Sequence, residues 1–222
     1  MELLIQKKES PAVKEPLVVI DKILEYVEKY KNGKNLEYEF RLGYMEDNGF
    51  NAEISDEFYE KILGRLGTNP RWESVERGDI TDYFVADIRY TVGSTKAIRK
   101  KKLVQLDFRY ENTPFDIRFT ISSEEPVAKT MPISEANYVR KKKRTTFRHK
   151  FWNYDISKVE TTDNGVSETT NEVELDIIVR PDMDWRYVIH SSLLKVSDIV
   201  GMCEKIEPTA SLQFIGVQEK RK

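Results

Sequence analysis

The spacing of apolar residues at the start of the chain predicts an amphipathic helix. Apolar residues recur at helical spacing at Leu17, Ile20, Ile23, Leu24 and Val27. Three- and four-residue spacing places such side chains on one face of a helix. Gly33 follows this stretch and suits the position just beyond a helix end. We therefore predict a first helix that ends before Gly33.

Two further helices are predicted by the same reasoning. Ser55 precedes Asp56 and Glu57 and suits a helix N-cap with acidic residues in the first turn. An apolar stripe follows at Phe58, Ile62, Leu63 and Leu66. A last helix is predicted within Trp185–Lys205, which carries apolar residues at helical spacing.

Between these helices the pattern becomes that of β-strands. From about Trp72 to Arg180, short stretches rich in Val, Ile, Tyr, Phe and Thr are separated by turn-forming residues, and they predict roughly seven strands. Leu36–Tyr44 predicts one more. Asn164-Gly165 favours the positive φ angles of a tight hairpin. We expect an antiparallel meander.

Several predicted strands alternate charged with apolar residues, as in 37–41, 116–120 and 172–176. Residues two apart share one face of a strand, so each run has a charged face and an apolar face. The ordinary interpretation is that the charged faces lie in solvent. However, the first and last strands are acidic, whereas 99–102 and 140–144 are strongly basic. A sheet closed with these faces inward would bring both signs into one lumen.

Composition adds limits to this interpretation. The chain has 222 residues, of which 33% are charged, yet its net charge is −2. This length fits one domain spanning 1–222, with 1–15 as a flexible extension. The single cysteine, Cys203, cannot form an internal disulfide and suits the core of the last helix, and no secretory leader or membrane-spanning run is evident. We expect an intracellular protein that does not insert into a membrane.

Acidic residues collected in a lumen indicate a metal site. Four carboxylates, Glu37, Glu39, Glu172 and Glu174, would repel one another without a cation. Hard oxygen ligands favour Mg²⁺ or Mn²⁺. The basic residues Arg140, Lys142 and Arg144 share one strand face and could grip successive phosphates. The nucleophile would then be water, and a glutamate would orient it.

Other interpretations of the basic strands remain open at this point. The chain has no GxxxxGK phosphate loop, no HExxH motif and no Lys-x-Asp-Gly nucleotidyl-transfer motif. A non-catalytic β-rich RNA-binding module would instead carry the basic rows outward. Such modules use stacking aromatics among their basic residues, and these rows lack that interleaving.

The sequence resembles a known family, the triphosphate tunnel metalloenzymes, and within it the RNA triphosphatases of fungal and large-DNA-virus mRNA capping. Glu37-x-Glu39-x-Arg41 and Glu172-x-Glu174 are similar to the two glutamate motifs of that family. Further similar positions are Arg89, Lys100, Asp116-x-Arg118-x-Thr120, Glu124, Arg140-x-Lys142-x-Arg144 and Asp155-x-Ser157. Asn153 departs from the family, in which an arginine precedes the aspartate by two residues, and Arg148 or Lys158 could replace it.

The resemblance implies a fold and roles for these residues. The expected fold is α+β and mostly β, an eight-stranded antiparallel β-barrel forming a tunnel with a charged interior and flanking helices. Glu37, Glu39, Glu172 and Glu174 would bind Mg²⁺ or Mn²⁺, with Asp176 as an additional candidate. Arg140, Lys142 and Arg144 would be catalytic. The remaining contacts to substrate phosphates would come from Arg41, Arg89, Lys100, Arg118, Glu124 and Asp155.

The resemblance also implies a reaction and its setting. The substrate would be 5′-triphosphate RNA, cleaved between the β- and γ-phosphates in the first step of capping, with nucleoside triphosphates as side substrates. Relatives that hydrolyse tripolyphosphate or another small triphosphate keep an alternative open. The chain would be the amino-terminal part of a longer polypeptide with guanylyltransferase and methyltransferase domains. In a viral setting it would occupy the virion or a cytoplasmic virus factory.

Overall fold

A computed structural model describes residues 16–111, 113–128, 136–203 and 212–219. The three helices are α1 (Pro16–Tyr30), α2 (Asp56–Gly67) and α3 (Trp185–Cys203). The strands are β1 (Leu36–Glu46), β2 (Gly49–Asn51), β3 (Ser74–Val85), β4 (Ile88–Thr91), β5 (Ala97–Tyr110), β6 (Asp116–Val127), β7 (Tyr138–His149), β8 (Trp152–Asp163), β9 (Val166–Ile177) and β10 (Leu212–Glu219).

Eight of these strands close into an antiparallel barrel, as predicted. The order around the barrel is β5, β4, β3, β7, β8, β9, β1 and β6, which pairs again with β5. β10 lies beside β5 and β2 beside β1, outside the closed circuit. The predicted hairpin joins β8 to β9, with Asn164 and Gly165 at φ angles of 47° and 85°. The chain is therefore mostly β, with α+β character from its helices.

The predicted elements are largely confirmed, with two strands missed. Seven strands lie between Trp72 and Arg180. The Ser55 hydroxyl accepts a hydrogen bond from the Phe58 amide at 3.3 Å, which is the predicted N-cap. β2 has only three residues and β10 lies beyond the last helix, and neither was predicted. The predicted flexible extension 1–15 and the end of the last helix at Lys205 lie outside the described residues.

The apolar faces of the strands point outward, where the helices cover them. On β1, Tyr38, Phe40 and Leu42 are at most 3% exposed and belong to a cluster that also contains residues of all three helices. Aromatic residues bury large apolar areas and so dominate such a cluster. Trp152 of β8 belongs to the same cluster, and its indole donates a hydrogen bond to Ser192 of α3 at 2.8 Å. The main core thus lies between the barrel and its helices.

This arrangement leaves the barrel interior for charged residues. Because the strand repeat is two residues, the neighbours of each core residue face the lumen. The described helices include none with the length and apolar character needed to span a bilayer. Cys203 is buried at the end of α3, in the core position predicted for it.

Candidate active site in the tunnel

The barrel encloses a cavity of about 710 Å³ lined mainly by charged residues of both signs. The acidic residues lining it are Glu37, Glu39, Asp82, Asp87, Glu124, Glu174 and Asp176. The basic residues lining it are Arg41, Arg89, Lys100, Lys102, Arg118, Arg140, Lys142 and Arg144. The acidic and basic rows predicted from the sequence therefore meet in one lumen.

The acidic rows meet because β1 and β9 are neighbours. Glu39 lies opposite Asp176 in the antiparallel register, and Arg41 lies opposite Glu174. Glu39 and Glu174 are 7% and 4% exposed. The Arg41 guanidinium lies 2.9 Å from the Glu39 carboxylate and also donates to Glu174. Two buried carboxylates from different ends of the sequence thus share one cation.

Burial and repulsion perturb the titration of this group. Burial raises the pKa of Glu39, and the nearby Glu174 charge raises it further. Burial raises the pKa of Asp176 well above its usual value, with Glu39 and Glu174 adding to the effect. Burial alone would also raise the pKa of Glu174, but Arg41 and Arg144 hold it below its usual value. A cation bound between these carboxylates would relieve their mutual repulsion.

Two of the four predicted metal ligands are held by basic side chains, and the role of all four as ligands stays a prediction. Glu37 is bound by Lys100, and Glu172 by Arg140 at 2.5 Å. In the described part of the chain, no three acidic, histidine or cysteine side chains already form a coordination sphere. The prediction missed the contacts that hold these two glutamates, because it could not assign cross-barrel partners.

The donor set nevertheless fits a hard divalent cation. Asp176 faces Glu39, and its Oδ1 atom is buried without a hydrogen-bond partner among the described residues. An unpaired buried carboxylate oxygen is costly and is satisfied by a cation. Glu39, Glu174 and Asp176 offer only oxygen ligands, which suit Mg²⁺ or Mn²⁺. Glu172 also has a buried oxygen, Oε2, without a partner among the described residues, but Glu172 is not among the residues that line the cavity, whereas Asp176 is.

The basic residues of β7 lie across the lumen from these acids. Arg144 donates to Ser157 at 3.0 Å and to Glu174 at 3.2 Å, and it also binds Asp155. Lys142 lies 3.9 Å from Asp82, too far for a hydrogen bond. Burial lowers the pKa of Lys142, although Glu174 opposes this, and the charges of Arg140 and Arg144 lower it further. Lys142 therefore remains available to an anion.

Unpaired donors also indicate an anionic ligand. The Nε atoms of Arg41, Arg89 and Arg140 are buried and have no acceptor among the described residues. All three side chains line the cavity. Buried N–H groups normally find an acceptor, so these donors favour a ligand rich in oxygen.

The remaining predicted phosphate contacts bind other side chains of the protein. Arg89 binds Glu124 at 3.1 Å, and Lys100 lies 3.8 Å from the same carboxylate. Asp155 accepts hydrogen bonds from Arg144 and, at 2.6 Å, from Thr146. Glu124 and Asp155 therefore position basic side chains of the protein. The sequence analysis had predicted that each of them contacts a substrate phosphate. Whether they also meet substrate stays a prediction.

Arg118 is held more firmly than the sequence suggested. Asp107 of β5 accepts two hydrogen bonds from it, at 2.7 and 2.9 Å. Its guanidinium also lies 4.6 Å from the centre of the Phe50 ring. Because two nitrogens of its guanidinium already donate to Asp107, Arg118 has fewer donors left for a phosphate.

Sequence reasoning missed several lumen residues, and a β-bulge explains part of this. Lys100 and Lys102 face the lumen, but the register between β5 and β6 shifts between Lys102 and Val104. Beyond the shift, odd-numbered residues line the cavity, so Gln105 faces inward and Asp107 reaches Arg118. A bulge changes which face a residue occupies and leaves no clear sequence signal.

Arg148 and Lys158, the two candidates to replace the arginine absent at Asn153, lie on opposite faces of the sheet. Arg148 lies directly opposite Asn153 in the register between β7 and β8 and shares the face of Arg144. Lys158 is on the outer face of β8, where its amine lies 3.1 Å from Asp56. Lys158 therefore lies outside the lumen. Arg148 is on the lumen face but is exposed and is not among the residues that line the cavity, so its role stays a prediction.

Comparisons with known proteins agree with this geometry. A family model described as mRNA capping enzyme, beta chain, matches residues 21–186. No curated protein sequence gives a significant match. The fold is similar to that of the S. pombe RNA triphosphatase Pct1, with a TM-score of 0.68, 15% identity, and coverage of 93% of this chain and 98% of Pct1. A structure of Pct1 in complex with the Spt5 CTD gives a TM-score of 0.63 at 16% identity, covering 90% and 94% of the two chains.

A viral protein has the same fold. The RNA triphosphatase domain of the trifunctional mimivirus mRNA capping enzyme gives a TM-score of 0.55 at 18% identity, covering 82% of this chain and 96% of that domain. At these identities the likeness concerns the fold of the barrel and its helices.

Proposed function

We propose that this chain, which belongs to the mRNA capping enzyme beta chain family, is a hydrolase that removes the γ-phosphate from the 5′-triphosphate end of RNA. The observation that carries the proposal is the lumen itself. Buried carboxylates that repel one another face a row of partly unpaired arginine and lysine donors across one cavity. This is the arrangement that phosphoryl transfer requires, because catalysis there depends on positioning and charge neutralisation.

The basic residues would hold the phosphates. Among the described residues, Lys142 has no hydrogen-bonded carboxylate and the Nε of Arg140 has no acceptor. Arg144 is fixed by Asp155 and Ser157, so its guanidinium is oriented before substrate arrives. Preorganised donors of this kind stabilise the negative charge on a transferring phosphoryl group.

The acidic residues would hold Mg²⁺ or Mn²⁺ and position water. Glu39, Glu174 and Asp176 would bind the ion, with Glu37 and Glu172 as predicted neighbours on the same strand faces. The bound ion would neutralise charge on the phosphate oxygens. A glutamate that is not fully committed to the ion would orient the attacking water and accept its proton.

The chemical step balances without a protein nucleophile. The water oxygen forms a bond to the γ-phosphorus, and the bond from that phosphorus to the bridging β–γ oxygen breaks. The proton goes to a carboxylate, and the products are diphosphate-ended RNA and phosphate. Free nucleoside triphosphates carry the same bond, so we expect a side activity on ATP. Transfer and methylation of the cap guanosine would belong to other domains or proteins.

Phosphate release from RNA tests the proposal. RNA labelled on the γ-phosphate is incubated with the protein and Mg²⁺ or Mn²⁺, and Glu39→Gln and Glu174→Gln are compared with the unchanged chain. Glu160→Gln is the matched control, because Glu160 is on the outer face of β8 and pairs with Lys141 at 3.1 Å. We expect a loss of about 100-fold or more in both tunnel variants and full activity in the control.

Other outcomes would favour the rival interpretations. Release from tripolyphosphate but not from RNA would indicate a small-triphosphate hydrolase. RNA binding without release from any triphosphate would indicate a binding module. Against the module, the row of Arg140, Lys142 and Arg144 faces the lumen and not the solvent.

A further inference from the structure

The barrel wall is incomplete on one side among the described strands. β4 has only four residues, and it pairs with β5 only at Ile98 and Arg99. β10 joins the same edge of β5 from Val104 onward. Residues 100–103 of β5 therefore have no strand neighbour on that edge within the described part of the chain.

The other side of this opening is the turn between β3 and β4. Ile88 of β4 pairs with Val85 of β3 and with Arg99 of β5. From Lys100 onward β5 therefore runs past this turn, with no described strand beside that edge until β10 begins to pair at Val104. Asp87 in the turn and Lys102 of β5 both line the cavity and are exposed. The lumen thus opens sideways between β5 and the turn that joins β3 to β4.

Lys102 stands at this side opening. It lines the cavity and is exposed, whereas Arg140, Lys142 and Arg144 are all partly buried. Its pKa is lowered by partial burial and by the nearby charges of Arg118 and Arg41, whereas Glu39 opposes the shift. The lysine therefore has other cations as neighbours and lies at the boundary between lumen and solvent.

Lys102 also differs from the other cations of the lumen in its partners. Each of the others has a carboxylate oxygen within 4.0 Å. No such carboxylate lies near Lys102 among the residues that the structure describes. A cluster of like charges with one unpaired member is stabilised by an added anion.

We propose that Lys102 binds a backbone phosphate of the RNA where the chain leaves the lumen, and so favours polynucleotide over free nucleotide. This inference rests on the proposed function. The triphosphate would occupy the enclosed basic row on β7, and the chain behind it must reach solvent. The side opening provides such a path, and Lys102 is the cation at its edge that is free for a further phosphate. A nucleoside triphosphate has no phosphate beyond the α-position to reach it.

Lys102→Met tests this assignment against Lys101→Met, a matched control. Lys101 is the adjacent exposed lysine and lies on the opposite face of β5. Hydrolysis of a triphosphate-ended RNA of about 20 nucleotides and of ATP is measured for each variant. We expect Lys102→Met to lower kcat/KM for RNA about tenfold through KM and to leave the ATP value within about twofold. Lys101→Met should leave both substrates unchanged.

The salt dependence of binding gives a readout that hydrolysis does not. Affinity for a fluorescent RNA with a 5′-hydroxyl end is measured from 50 to 300 mM salt. Loss of one phosphate contact should reduce the slope of log affinity against log salt by about 0.7. Lys102→Arg, which keeps the charge, should restore most of the slope.

The outcomes separate this inference from the proposed function. If the unchanged chain releases no phosphate from RNA, the proposed function fails, while the binding slope still reports on Lys102. An equal loss on RNA and ATP would overturn the inference, because Lys102 would then serve the triphosphate itself. Unchanged kinetics together with an unchanged slope would overturn it as well.

Discussion

The interface between α3 and the barrel contains a buried pair of titratable groups that should make stability depend on pH. Burial raises the pKa of Asp198 to about 7, although Lys195 opposes the shift. Burial lowers the pKa of Lys195 to about 8, and its amine lies 3.9 Å from the centre of the Trp152 ring. The Asp198 Oδ2 and Tyr154 Oη atoms are buried without a partner among the described residues.

Replacing Asp198 with asparagine removes the charge and keeps the shape. The folded state binds the Asp198 proton more tightly than the unfolded state, whose pKa is near 3.8. The stability from this proton is complete below pH 4 and is lost as pH rises through 7. One pKa unit corresponds to about 1.4 kcal/mol, so the full cost of ionisation is about 4 kcal/mol. Partial exposure of Asp198 reduces this cost through screening by solvent. We therefore expect Asp198→Asn to raise the free energy of unfolding by about 2 kcal/mol more at pH 8 than at pH 5.

Urea unfolding followed by tryptophan fluorescence at pH 5, 6, 7 and 8 measures this difference. Asp21→Asn is the control, since the Asp21 carboxylate is more than half exposed and pairs with Arg186 on the surface. The free energy of unfolding of the control should differ from that of the unchanged chain by the same amount at each pH. A gain for Asp198→Asn that does not change between pH 5 and 8 would refute the assignment of a raised pKa.

Three further predictions concern the tunnel and its hairpin. Gly43→Ala places a Cβ atom 2.2 Å from the Asn51 carbonyl oxygen, so it should cost about 1–3 kcal/mol in thermal unfolding, whereas Gly64→Ala on open helix surface should stabilise slightly. Arg144→Met leaves two buried carboxylates without their shared cation and should lower the free energy of unfolding in urea by about 3–5 kcal/mol; a loss below 1 kcal/mol would contradict the described contacts. Mn²⁺ at about 100 times its Kd should stabilise the protein by about 2.7 kcal/mol in calorimetry, and Glu39→Gln should abolish most of that gain.

The sequence predicted the fold well because the relevant signals are local. Alternation along each strand and the Asn164-Gly165 turn are set by neighbouring residues. The missed elements have weak local signals: β2 is three residues long, and β10 is stabilised by its pairing with β5 across the sequence. Local pattern therefore predicted the barrel strands and not the two strands added outside the circuit.

The candidate site was predictable only as a set of residues. The alternation of charged and apolar residues shows which face of each strand carries charge. It therefore sufficed to predict both glutamate rows, one with Glu37 and Glu39 and one with Glu172 and Glu174. Which carboxylates meet depends on the register between β1 and β9, which puts Glu39 opposite Asp176. The pairing of Glu37 with Lys100 and of Glu172 with Arg140 likewise depends on side chains from distant strands. No local pattern specifies these partners.

The alternation along the barrel strands also separates two kinds of evolutionary constraint. On β1, even-numbered positions build the apolar layer under the helices, and odd-numbered positions from Glu37 to Arg41 line the lumen. A substitution at a lumen position can alter selectivity while the layer that stabilises the fold is untouched. A substitution in that layer can be compensated by the helices without disturbing the chemistry. Descendants of one barrel can therefore diverge in substrate and in stability by separate routes.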